Sequence, residues 1–147
     1  MMYNRQKLLL QVVKKLREKG IDSKTYLVKA LFLLRQKFGF EAVGYDFFPY
    51  KYGPFSNEIY SDFNALEKEG LFNEATLSLT ENGLALAEKL KEDKEIFSEV
   101  DKIINSYPGK TEIKKFVYDN YPEFTVNSNA PRMIRNNSEK GICSIGY

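Results

Sequence analysis

The stretch Tyr45-Asp-Phe-Phe-Pro-Tyr-Lys-Tyr-Gly-Pro-Phe-Ser-Asn-Glu-Ile-Tyr60 decides how the rest of the chain is read. Seven of its residues are aromatic: Tyr45, Phe47, Phe48, Tyr50, Tyr52, Phe55 and Tyr60. Pro49 and Pro54 forbid a helix through it, because proline has no N–H and clashes with the preceding turn. Each also pushes the residue before it toward extended backbone. Gly53-Pro54 is a turn signal, and Ser56 is placed to cap a helix that starts after it. The reading is an extended aromatic arm that reverses at Gly53-Pro54 and runs into a helix. A sharp reversal there makes Gly53→Val more costly than Gly44→Val.

Helices are expected on both sides of the arm. Residues 4–19 place Leu8, Leu9, Val12, Val13 and Leu16 on one face, with Lys7, Lys14, Arg17 and Glu18 opposite. Residues 24–38, capped by Ser23, are apolar around nearly the whole circumference. Only Thr25, Lys29 and Gln36 form a polar strip. A helix apolar all round is buried, so this one is the expected centre of the core, with Leu31 and Leu34 inside. After the arm, 57–69 reads as a helix with Ile59, Phe63 and Leu66 inward. Short strands follow at 71–72 and 76–79. Helical character is expected over about 81–92, capped by Thr80, and again over about 94–106, as one bent helix or two, with a last helix capped by Thr111 and running through Asn120. The fold class is mainly α, with a small β-hairpin and extra C-terminal helices. Residues 1–121 form one domain, and 122–147 an irregular tail.

Composition narrows the chemistry. The 147 residues are 43% apolar and 29% charged, with net charge +2. The charge is unevenly spread: residues 1–40 hold ten Lys/Arg against two acids, and residues 41–80 two against seven. Such asymmetry makes either a basic binding face or two separately solvated surfaces. There is no histidine, so the commonest general base and metal ligand is missing, and with it Ser-His and Cys-His pairs. The single cysteine, Cys143, builds no thiolate-rich metal site and no internal disulfide. Asp101, Glu112 and Lys114 have the spacing of a metal-dependent nuclease. Such sites want Glu and Lys on a strand, however, and here they fall on an expected helix. No run is long enough to span a membrane. A binding module is expected rather than an enzyme, in the cytoplasm, with no metal, no cofactor and no membrane partner.

Two narrower patterns carry resemblances. The order helix, helix, arm, helix, hairpin, helix resembles a winged helix-turn-helix. Within it, Gly70-Leu-Phe-Asn-Glu-Ala-Thr-Leu-Ser-Leu-Thr80-Glu-Asn-Gly-Leu-Ala-Leu-Ala87 is similar to a wing and its following helix. The second pattern joins Leu27-Val-Lys-Ala-Leu-Phe-Leu-Leu34, Tyr50-Lys-Tyr-Gly-Pro-Phe-Ser56 and Phe116-Val-Tyr-Asp-Asn-Tyr-Pro-Glu-Phe-Thr125 with Ser128. It resembles small bacterial and archaeal proteins related to the SocA-like, or Panacea, antitoxin domain, over roughly residues 20–128. That family pairs a buried helix with a Tyr-Gly-Pro turn. The resemblance implies a protein partner, such as a toxin, that is neutralised or regulated by contact.

Two sets of contact residues follow. For a protein partner they are Phe48, Tyr50, Lys51, Tyr52, Gly53, Pro54 and Phe55, since Tyr and Phe are enriched at interfaces. The same rings serve equally well to pack the core. The alternative is a winged-helix DNA-binding transcriptional regulator. Asn57, Ser61, Asn64 and Lys68 would then face base edges, with Lys7, Lys14, Arg17 and Lys29 on phosphate. Glu58, Asp62, Glu67 and Glu69 flank that strip and oppose phosphate.

Overall fold

The computed structural model describes residues 2–51 and 53–125. The chain is mainly helical: α1 (Asn4–Glu18), α2 (Lys24–Phe38), α3 (Phe40–Val43), α4 (Asn57–Lys68), α5 (Glu81–Lys89), α6 (Lys94–Ser106) and α7 (Lys110–Asn120). Two small antiparallel hairpins interrupt it, β1 (Phe48–Tyr50) with β2 (Gly53–Phe55), and β3 (Phe72–Asn73) with β4 (Ser78–Leu79). A 3-10 turn at Pro122–Phe124 closes the described part. Among the described residues, no helix is long and apolar enough to cross a membrane.

Helix α2 is the core element, as its all-round apolar pattern predicts. Tyr26, Leu27, Val28, Leu31, Phe32 and Leu34 have no exposed surface. Removing the side chain of Leu31 or Leu34 would cost about 2–5 kcal/mol through lost transfer energy and the cavity left behind. Ser23 caps the helix by accepting from the Tyr26 amide at 3.1 Å. Tyr26 ties it to α6, its hydroxyl donating to the Tyr107 carbonyl at 2.5 Å. Burial raises that phenol to about 12, so it stays a donor.

The helix expected over 81–92 ends at Lys89, and α6 starts afresh. Asp93 Oδ1 accepts from the Glu95 and Ile96 amides, both at 3.0 Å, which makes it the cap of the second helix. The expected Ser56 cap is different: the residue stands at the N-cap of α4, but its hydroxyl accepts no amide. Residues 122–125, placed in the tail by the sequence reading, contribute Phe124, whose ring centroid lies 4.8 Å from that of Phe32. Met133, Ile134, Ile142, Cys143 and Ile145 lie outside the described residues.

Candidate functional site: the proline-paired hairpin

The arm of 45–60 is not a single extended strand reversed at Gly53-Pro54. It is a hairpin in which Phe48 faces Phe55, Pro49 faces Pro54 and Tyr50 faces Gly53. The reversal therefore falls between Tyr50 and Gly53. The prolines explain why this ladder is tolerated. In an antiparallel pair, facing residues alternate between exchanging N–H···O bonds and pointing those groups outward. Two facing prolines in an outward-pointing pair cost no inter-strand bond. Gly53 adopts φ +109°, a backbone that residues with a side chain rarely take.

The chain entering β1 is pinned at every step. Buried Tyr45 donates from its hydroxyl to Asp62 Oδ2 at 2.6 Å. Arg5 donates from Nε to the same oxygen at 2.7 Å and from Nη2 to Oδ1 at 3.1 Å, and Gln6 Nε2 adds 2.8 Å. Burial and then the Asp62 hydrogen bond push the Tyr45 phenol well above its ordinary range, while the bond to Asp62 raises Arg5. Arg35 donates to the Tyr45 carbonyl and to Asp46, both at 3.0 Å. Phe47 packs edge-on against Phe32 at 5.5 Å. Asp62 thus does not flank an outward strip of α4. It is 2% exposed and neutralised by Arg5, which removes one of the four acids expected to repel phosphate there.

The two strands of the hairpin differ in exposure. All of β2 is buried. In β1, Phe48 is 39% exposed, Pro49 is exposed and Tyr50 is half-buried; Lys51 beyond it is exposed. Gly53, Pro54 and Phe55 are therefore corrected from contact residues to seating residues. Tyr52 lies outside the described residues. From the open strand a chain of rings runs inward: Phe48 to Phe55 at 5.6 Å, Phe55 stacked on Tyr60 at 5.4 Å, Tyr60 to Phe63 at 5.3 Å and Phe63 to Phe72 at 5.1 Å. That ladder joins the first hairpin to the second.

Beneath β2 lies a residue the sequence reading misplaced. Lys29 was expected on a solvent-facing polar strip of α2, as a phosphate contact. It has no exposed surface, so it touches no nucleic acid. Its Nζ would sit 3.4 Å from a Cβ built on Gly53, and 5.9 Å from the centre of the Tyr118 ring. Burial, and then the positive charge of Lys114, bring its ammonium down to about 7. The only sequence signal was that Lys29 is the single charge in the otherwise apolar run Tyr26-Leu-Val-Lys-Ala-Leu-Phe-Leu-Leu34.

The remaining expected nucleic-acid residues spread over separate surfaces. Asn57, Ser61, Asn64 and Lys68 are exposed together on α4. Lys7 is half-buried on α1. Lys14 pairs with Glu18 at 2.7 Å, and Arg17 donates to the Thr76 carbonyl at 3.3 Å. Lys14 and Arg17 line a groove of about 450 Å³ with Ser78, Leu79, Leu84 and Glu88. Asp101 lies on α6, with Glu112 and Lys114 on α7. Among the described residues, no group of three or more potential ligands is arranged to hold a metal ion. Comparison with protein-family models, curated proteins and solved structures returned no significant match.

Proposed function

We propose that this chain is a non-enzymatic protein-binding module, antitoxin-like in the sense of the SocA-like resemblance, that neutralises or regulates a partner through β1. The observation that carries this reading is the contrast within one hairpin: β2 is sealed, while β1 offers Phe48, Pro49 and Tyr50 at the surface. A few apolar anchors, desolvated on docking, carry most of the energy of an interface. These rings also rest on a pinned base, so they lose little freedom when bound. The test is affinity capture from the native host with nuclease treatment. Phe48→Ala and Tyr50→Ala are expected to lose the captured protein while melting within a few degrees of the parent. Retention of the same protein by both variants would place the interface elsewhere.

A winged-helix DNA-binding regulator is the second reading. It is favoured by the exposed strip Asn57, Ser61, Asn64 and Lys68 on α4, followed directly by the β3–β4 hairpin. Against it, Lys29 is buried, and Lys14 and Arg17 on α1 are engaged by neighbours. Phosphate neutralisation dominates affinity for DNA, so only weak, salt-sensitive, sequence-indifferent binding is expected. Nanomolar affinity for a defined duplex at physiological salt would reverse the order of the two readings.

A further inference from the structure

The backbone of the first hairpin limits what can dock on it. A partner that adds a strand needs a row of N–H and C=O groups along a sheet edge. The outward-pointing pair in this three-residue ladder is Pro49 with Pro54, and proline has no N–H to offer. The outer edge of β1 therefore offers no amide donor within the strand. Recognition must then run through side chains.

The side chains around β1 carry a sign. On α7, Ile113 and Val117 are buried. At about 100° per residue, Lys110, Lys114 and Tyr118 then share one flank, and Glu112, Lys115 and Asp119 the other. Tyr118 marks which flank faces the hairpin, since its Cε1 would meet a Cβ on Gly53 at 3.3 Å. The acids of α7 thus point away, and Asp119 is held by Lys115 at 2.9 Å. Lys51 is exposed at the end of β1, and Lys110 and Lys114 are exposed on α7. Nearby acids are largely engaged: Asp46 by Arg35 at 3.0 Å, and Glu58 by the Asp46 amide at 3.0 Å. Glu123 on the 3-10 turn is exposed. Exposed lysines thus stand at the tip of the apolar strip and on the flank of α7 that Tyr118 turns toward the hairpin, with Glu123 the exposed acid on the 3-10 turn.

We propose that β1 and the Lys110–Lys114 flank of α7 form one docking surface, whose occupant is an acidic segment of a partner protein that enters as a helix or loop, with a carboxylate beside an apolar side chain. This rests on the protein-binding reading and adds the chemistry and shape of the partner. Carboxylates would meet Lys51, Lys110 and Lys114, while the apolar group covers Phe48, Pro49 and Tyr50. Such charge matching sets on-rate and choice of partner more than total affinity.

The test uses the full chain and a displayed library of random peptides. Selection on the parent protein should enrich sequences holding Asp or Glu next to aromatic or aliphatic residues. A synthetic copy of an enriched peptide should bind about tenfold more weakly to the double variant Lys51→Glu, Lys114→Glu. A copy with its acids changed to lysine should recover affinity on that variant. Melting temperature checks that the variant is folded. Selected peptides without acidic enrichment, or ones that ignore the charge reversal yet are lost with Phe48→Ala, overturn the acidic-partner inference and leave the protein-binding reading standing. Peptides indifferent to Phe48→Ala and Tyr50→Ala, or no selected peptide at all, overturn both.

Discussion

Hairpin β1–β2 is seated through a glycine of its own, Gly53, whereas hairpin β3–β4 is seated through a glycine of the helix that follows it, Gly83. A Cβ on Gly53 would meet the ends of two side chains, Tyr118 at 3.3 Å and Lys29 at 3.4 Å. A Cβ on Gly83 would meet backbone, the Leu71 carbonyl oxygen at 2.0 Å, and the Leu79 Cβ at 3.2 Å. The first seat is soft and holds an ionisable group. The second is hard, made mainly of backbone, and holds no ionisable group. A soft seat yields by small movements of the Tyr118 and Lys29 side chains, while a hard one fixes α5 against the hairpin. The same difference separates the strand proposed to meet a partner from the one that closes the core over Phe72 and Leu77, both 2% exposed.

The hardest seat should be the costliest to disturb. Gly83→Ala is expected to lose about 3 kcal/mol, read from urea unfolding, because a carbonyl oxygen cannot rotate away as a side chain does. A loss under about 1 kcal/mol would show that α5 rides freely on the hairpin. Next come Gly44, before the first hairpin, and Gly53, within it. The sequence reading ranks Gly53 above Gly44, and the structure reverses this. Gly44 has φ +84°, and its Cβ would overlap the Arg5 Cβ at 2.6 Å, beside the Asp62 network. Gly44→Val should cost about 2–3 kcal/mol and Gly53→Val about 1–2 kcal/mol. Equal melting temperatures would remove the distinction between overlap and strain.

That reversal shows where the sequence was legible. The helices were, because their apolar periodicity has to match a core: α2 is sealed and α4 turns Ile59, Phe63 and Leu66 inward as read. Thr80 and Ser23 were legible as caps because capping is local chemistry. The first hairpin was not. Two prolines argue against a ladder, and only their mutual register, a non-local fact, makes them harmless. Lys29 and Asp62 were misplaced for the same reason. Charge argues for solvent, and only the fold supplies the Gly53 and Tyr118 packing around one or the Arg5, Gln6 and Tyr45 donors for the other. Of the candidate site, Phe48 and Lys51 are exposed and Tyr50 is half-buried, whereas Gly53, Pro54 and Phe55 are buried.

The ionisable group in the soft seat gives a pH test. Lys29 titrates at about 7 in the fold against an ordinary 10.5, because burial disfavours its charged form. Between those values the unfolded chain binds a proton that the fold does not. Stability should therefore rise with pH through that window, by up to about 1.4 kcal/mol per unit. Below about 7 both states are protonated, and the fold holds an ammonium whose charged form burial disfavours. Lys29→Met should flatten the rise and stabilise the protein most at or below pH 7, measured as urea midpoints of parent and variant from pH 6 to 9. A variant less stable than the parent at pH 6 would mean that the charged amine is held by its surroundings rather than penalised by them.

The smallest effect separates the two helix starts that follow the hairpins. Thr80 opens α5 after β4, its hydroxyl accepting from the Gly83 amide at 3.0 Å and donating to the Gly70 carbonyl at 2.7 Å. Thr80→Ala should cost about 1–2 kcal/mol, the usual worth of a working cap. Ser56 opens α4 after β2 from the same sequence position relative to its helix, yet its buried hydroxyl finds no partner among the described residues. A buried hydroxyl without a hydrogen bond is a desolvation cost, so removing it relieves the fold rather than harming it. Ser56→Ala should leave the urea midpoint unchanged or raise it slightly. The Tyr60 hydroxyl, one helical turn on, is likewise buried without a partner among the described residues, and burial lifts its phenol to about 12. The pair marks α4 as a helix positioned by ring packing on Phe55 and by the Asp62 network rather than by its own cap. A loss of 1 kcal/mol or more in Ser56→Ala would instead show that its hydroxyl caps α4 in solution, as the sequence alone suggests.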